Sequence, residues 1–332
     1  MYVPEALAAD APLVVVLHGC TQSPASYDAG SAWSKLADER GFAVLYPEQQ
    51  RSNNPNLCFN WFSPDDAARD RGEALSIRQM VDTMHARHAT DPGRTFVTGL
   101  SAGGAMTAVM LATYPDVFAG GAVIAGLPFG TARSVPEAFD RMRAHGGGAP
   151  EQLAALVRSA SDHPGPWPKL SVWHGSNDAT VDPTNAAALI GQWRLLHGVP
   201  AAPCRTDMVH GYPHRVWCGP DGAEVMEEYV ITGMAHGTPL STSGTVSGEV
   251  AGPYMLEAGI SSTRLIARFW GIMEHAEHEV RRPAFAEERR PPQPEQQLPD
   301  LEPVRRRPHL RHVPGGVQAT IENALRSAGL MR

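Results

Sequence analysis

Three residue types that together perform acyl transfer stand far apart in this chain, each in a glycine-bearing turn. Ser101 is the centre of Gly99-Leu100-Ser101-Ala102-Gly103, within the stretch RTFVTGLSAGGAMTAVMLATYP, where a β-rich run passes into a helical one. A serine hydroxyl is a weak nucleophile, so it needs a histidine base and a group that orients the histidine. Asp178 follows an apolar run in WHGSNDATVDP, and His236 follows another in VITGMAHGTPL. A sharp strand-to-helix turn holds the central serine in a strained backbone, and flanking glycines leave room for it. The next helix aims its first amides at the place where negative charge develops. Two oxyanion donors are therefore expected. One is the amide of Ala102. The other is the amide of Cys20 in His18-Gly19-Cys20-Thr21, where Gly19 permits a tight turn.

Other residues compete for these roles. Asp182 lies four residues after Asp178 but precedes Pro183, a position suited to capping a helix start. His174 stands next to a glycine close to Asp178 and is expected to brace that loop. Cys20 has no histidine pattern of its own to activate a thiol, so it is expected to contribute an amide. His85 and His88, like His275 and His278, are three apart on helical patterns without an evident third ligand, and no metal is expected. The loop HGCTQSPAS lacks the Gly-Lys-Ser/Thr ending of a phosphate cradle, and the chemistry requires no cofactor. Trp33 and Trp173 are expected in the core. Trp61, beside Asn60 in CFNWF, is expected to be exposed.

The elements that must position these residues alternate between strand and helix over 1–280, which implies a mostly parallel sheet covered by helices on both faces. Its buried strands are the apolar runs at 13–18, 42–47, 95–100, 121–126 and 170–175. Helical stripes run through EALSIRQMVDTMHARH, over 185–198 before Gly198 and Pro200, and over 262–276. The stretch 204–234 alternates instead, with a Pro-Asp-Gly turn at 220–222, and reads as antiparallel strands at a sheet edge. Cys204 and Cys218 fall on neighbouring strands there and form the preferred disulfide pair. With Cys20 and Cys58 the four cysteines allow three pairings, and buried free thiols are also compatible with the sequence. Residues 281–316 are rich in Pro, Arg and Glu and read as a disordered linker, followed by an amphipathic helix over 317–332.

The chain has 332 residues, 42% hydrophobic, with a formal charge of -7. It can bury a full core, and its charge gives no reason to expect nucleic acid as a partner. No apolar run is long enough to span a bilayer. The N-terminus shows no signal peptide and enters a core strand at once, which implies a natural start further upstream.

The signatures PLVVVLHGCTQS, AVLYPEQ, CFNWF, GEALSI, VTGLSAGGAM, WHGSNDATV, ITGMAHGTPL and SSTRLIARFW occur in this order. Together they resemble the polyhydroxyalkanoate depolymerase and esterase family, most closely short-chain-length depolymerases with the type 1 catalytic domain. The order Ser101, Asp178, His236 is that of the α/β-hydrolases. The resemblance implies an α/β-hydrolase fold and a secreted or periplasmic ester hydrolase acting on poly(3-hydroxybutyrate) or related short esters. Ser101 would be the nucleophile, Asp178 the orienting acid and His236 the base. The Cys20 amide would join the oxyanion hole, and Trp61 and Asn60 would lie near the acyl site. A feruloyl or acetyl-xylan type esterase shares this scaffold, and a catalytically silent binding protein could also be built on it.

Overall fold

The computed structural model describes residues 1–243 and 248–273. The linker expected over 281–316, the helix expected over 317–332, and His275 and His278 lie outside the described residues.

The first half of the chain lays down β1 (Leu13–Leu17), α1 (Pro24–Ser31), α2 (Trp33–Arg40), β2 (Ala43–Leu45), α3 (Gly72–His88), β3 (Thr95–Leu100), α4 (Ala102–Thr113) and β4 (Gly120–Ile124). It continues through α5 (Val135–Met142), α6 (Pro150–Arg158), β5 (Lys169–Gly175) and α7 (Thr184–His197). Three consecutive strands follow: β6 (Arg205–Val209), β7 (Tyr212–Cys218) and β8 (Glu224–Ile231). The short β9 (Thr238–Leu240) and β10 (Met255–Glu257) pair with each other before α8 (Ser262–Phe269).

Eight strands form one sheet in the order β2-β1-β3-β4-β5-β8-β7-β6. From β2 to β8 every pairing is parallel, while β7 runs antiparallel to both of its neighbours. The alternating stretch therefore forms the antiparallel edge expected of it. Cys204, one residue before β6, is bonded to Cys218 at the end of β7, and Cys20 is bonded to Cys58. This arrangement, a parallel sheet between two helical layers, is the α/β-hydrolase fold.

Side-chain alternation along the strands divides the core between the two faces. Leu13, Val15 and Leu17 of β1 pack with α3, α4, α6 and α7, whereas Val14 and Val16 pack with α1, α2 and α8. Every residue of α4 is buried, so the helix after Ser101 is fixed on all sides. α8 ends at Phe269, short of the expected 262–276. Trp270 leaves the helix to stack on Phe96, with centroids 4.9 Å apart, and on Trp33 at 5.9 Å, and Gly271 then turns the chain with φ 74°. Burying that indole against two aromatic rings outweighs one more helical turn.

Candidate active site

Ser101 occupies the turn between β3 and α4. Its φ of 58° and ψ of -117° lie outside the regions open to ordinary L-residues. Backbone bonds hold it there: its N–H donates to the Ile124 carbonyl at 2.9 Å, and its carbonyl accepts from the Ala105 N–H at 2.8 Å. The flanking glycines are required by space. A Cβ on Gly103 would stand 2.3 Å from the Leu17 carbonyl oxygen, and one on Gly99 would stand 2.4 Å from the Gly103 carbonyl. Ser101 sits at the N-cap of α4 but makes no capping bond, so its hydroxyl is not spent on the helix.

Asp178 and His236 are 58 residues apart and meet at 2.6 Å, Asp178 Oδ2 to His236 Nδ1. Their loops leave β5 and β8, which are adjacent parallel strands. The loops are also stitched together: the Ser176 N–H donates to the Ile231 carbonyl, the Asn177 N–H to the Met234 carbonyl, and the Gly233 N–H to Ser176 Oγ. Close approach is possible because residue 175 is glycine; a Cβ there would stand 2.3 Å from the Met234 carbonyl oxygen.

The Asp178 carboxylate is buried and surrounded by donors. Oδ1 accepts from the amides of Thr180 and Val181, at 2.8 and 2.9 Å. His174 Nε2 lies 3.3 Å from Oδ2 and 2.9 Å from the Val181 carbonyl, which makes His174 the brace of this loop. Burial by itself would raise the pKa of Asp178, but the bonds from His174, His236 and Val181 outweigh it and hold the carboxyl below its usual range. An ionised Asp178 fixes the proton of His236 on Nδ1 and leaves Nε2 free as a base. The rival Asp182 accepts from the Thr184 N–H and hydroxyl, at 2.9 and 2.7 Å, and is occupied at the start of α7. Among the described residues no hydrogen bond joins Ser101 to His236.

Cys20 follows β1 at the same end of the sheet. Among the described residues its amide has no acceptor, and neither has that of Ala102, the first residue of α4. The loop carrying Cys20 is tightly braced. The Gly19 N–H donates to Gln22 Oε1 at 2.8 Å, and the Thr21 N–H to the Asn56 carbonyl at 2.8 Å. His18 Nε2 accepts from the Gln49 N–H at 3.2 Å, so Nδ1 carries the proton and donates to the Gly19 carbonyl at 2.8 Å. Burial lowers the pKa of His18 and keeps it in this neutral form.

The Cys20–Cys58 disulfide joins this loop to CFNWF, which is anchored in turn on Glu73 near the start of α3. Glu73 Oε2 accepts from the Asn60 N–H at 2.8 Å, and Oε1 accepts from the side-chain amides of Asn60 and Gln49. Gln49 Nε2 also reaches the Cys58 carbonyl at 3.1 Å. Burial pushes the Glu73 carboxyl up to about 7 against these bonds. This bracket was not anticipated; the signal available was an acidic residue on the buried side of a helix in GEALSI.

One expectation, the exposure of Trp61, is corrected here. Trp61 is buried, 7% exposed, with its ring edge-on to Phe62 at 5.7 Å, because the anchors at Cys58 and Asn60 just before it turn it into the core. Asn60 spends its amide nitrogen on Glu73 and accepts from Asn54 Nδ2 at 2.9 Å, so it braces the loop. Trp33 and Trp173 are in the core as expected. His85 binds the hydroxyls of Thr90 and Thr95 through its two ring nitrogens.

Residues 1–207 match the family model described as Esterase PHB depolymerase. The chain is 48% identical over 274 residues to poly(3-hydroxyalkanoate) depolymerase C of Paucimonas lemoignei, covering 82% of this chain and 66% of that protein. It is 30% identical over 252 residues to feruloyl esterase B of Talaromyces stipitatus, covering 73% of this chain and 69% of the other. A solved acetyl xylan esterase from Aspergillus awamori superposes with a TM-score of 0.67 at 26% identity, covering 82% of this chain and 93% of that one. The chain thus spans about two thirds of the length of the Paucimonas protein. The strained serine turn, the paired aspartate and histidine, and the chain's similarity to these esterases converge on one conclusion: the chain belongs to the PHB depolymerase esterase family of α/β-hydrolases.

Proposed function

We propose that the chain is a serine carboxylic-ester hydrolase that cleaves poly(3-hydroxybutyrate), its oligomers and other short-chain esters. The observation that carries this reading is the buried Asp178–His236 pair, joined at 2.6 Å at the sheet end that also bears the strained Ser101 turn. Ser101 Oγ attacks the ester carbonyl while His236 Nε2 takes its proton, and Asp178 holds the imidazolium. The tetrahedral oxyanion receives hydrogen bonds from the amides of Cys20 and Ala102. His236 returns the proton to the leaving alkoxide as the carbonyl–oxygen bond breaks. Water then hydrolyses the acyl-serine by the same route. The Cys20–Cys58 and Cys204–Cys218 disulfides fit an oxidising compartment, extracellular or periplasmic.

Acetylxylan or feruloyl ester hydrolysis is the second reading, favoured by the acetyl xylan esterase that shares the fold and the feruloyl esterase that shares sequence. Hydrolysis of a 3-hydroxybutyrate oligomer, acetylated xylan and methyl ferulate by the same preparation separates the two. The highest kcat/KM is expected on the oligomer. Turnover confined to acetylxylan or ferulate would transfer the assignment to the second reading.

A further inference from the structure

A groove of about 400 Å³ opens between the loop after β1 and the segment before β10. One wall is Thr21, Gln22 and Ala29, and the other is formed by Val250, Ala251 and Tyr254. None of its lining residues carries a formal charge. Val250 on the rim is 60% exposed, one of only five large apolar side chains among the described residues to stand out in this way. A neutral, largely apolar groove with an exposed valine at its mouth suits an uncharged aliphatic chain better than a sugar, whose hydroxyls need a set of paired side-chain partners.

Residues of the groove walls adjoin both halves of the proposed machinery. Thr21 follows Cys20 directly. Tyr254 lies edge-on to the His236 ring with centroids 6.2 Å apart, and its carbonyl accepts from the Thr238 N–H at 2.8 Å. Tyr254 has φ 61°, a strained conformation for an aromatic residue, and such strain concentrates at ligand-binding positions. The wall is also fixed from behind. The Val250 N–H donates to the Gly30 carbonyl at 3.0 Å, and Glu249 accepts from the Ser241 N–H and the Ser261 hydroxyl.

We infer that this groove is the alcohol-side subsite, holding the hydroxyacyl unit that departs when a linear aliphatic polyester is cut. The inference rests on the esterase reading above. His236 must protonate the leaving oxygen, so the alcohol arm of the substrate lies on the histidine side, where Tyr254 stands. The acyl arm, bonded to Ser101, is directed away from it. A unit seated in the groove adds binding energy that a small ester cannot use, and this energy is expressed in kcat/KM.

The test fills the groove from either wall, using Ala251→Trp and Ala29→Trp, both at exposed positions. The quantity read is the ratio of kcat/KM on a 3-hydroxybutyrate trimer to that on p-nitrophenyl acetate. A fall in this ratio of about fivefold or more in either variant is expected. A ratio that stays within about fivefold of the wild type in both variants overturns the groove assignment alone. If the wild type hydrolyses neither ester, the esterase reading fails and the groove assignment falls with it. If both variants instead lose acetylated xylo-oligosaccharide activity more than trimer activity, the occupant is a sugar and the polyester assignment is overturned.

Discussion

Ser101 keeps a backbone conformation that costs on the order of 1–3 kcal/mol, and the two glycines beside it are the reason it can. Gly103→Ala would drive a methyl group into the Leu17 carbonyl, 2.3 Å away, where backbone rather than a flexible side chain must yield. A loss of more than about 3 kcal/mol in denaturant unfolding is expected; a loss under about 1 kcal/mol would show that the turn is softer than its contacts imply. Asp178→Asn removes the charge that sets the His236 tautomer, and a fall in kcat of about 10³–10⁴-fold with little change in KM is expected. At this scale the sequence was highly legible. The strained turn at Ser101 and the meeting of Asp178 with His236 were foreshadowed by glycine-bearing turns after apolar runs, and His174 and Asp182 took the supporting places their neighbours implied. Trp61 was not legible, because whether a loop ring faces in or out depends on the Cys20–Cys58 and Glu73 anchors, which are distant in sequence.

The loop after β1 is an element in its own right, held by a disulfide on one side and by the His18–Gln49–Glu73 bonds on the other. Cys20→Ser with Cys58→Ser keeps the backbone amide at position 20 but frees the loop. A stability loss of about 2–4 kcal/mol is expected, together with a fall in kcat of about tenfold at nearly constant KM, since the oxyanion forms only during reaction. A stability loss with kcat untouched would show that the disulfide does not position the amide. Glu73 gives the same element a pH signature. Its folded pKa, about 7, lies above the usual carboxyl value, so the folded state binds more protons than the unfolded state between about pH 4 and 7. The group's contribution is therefore present in acid and is lost as pH rises through about 7. Relative to Glu73→Gln, the wild type is expected to lose stability on the order of 3 kcal/mol from pH 4 to 8. A difference that is flat with pH contradicts the burial described for this carboxyl. Element types followed from apolar runs and turns, but the end of α8 did not, because the packing of Trp270 on Phe96 and Trp33 overrides the helical pattern.

At the scale of the molecule, a sheet with the turns of the proposed site at one end needs only residues 1–273 for the site described, so a chain ending at residue 280 should retain ester hydrolysis. A large loss of kcat/KM on truncation would show that the remaining residues help to build the site. The Cys204–Cys218 bond lies on the antiparallel edge, and replacing both cysteines by serine should cost about 3 kcal/mol while sparing the chemistry at the other strands. The parallel sheet was legible because fully buried strands read as uninterrupted aliphatic runs. The groove by Tyr254 was not, because its walls come from segments more than two hundred residues apart. The central claim is that Ser101 is the nucleophile. The most direct test is intact-mass and peptide mapping after reaction with a fluorophosphonate that mimics the ester. One adduct on Ser101, absent in Ser101→Ala together with all ester turnover, is the expected result. An adduct on another residue, or turnover that survives Ser101→Ala, would contradict it.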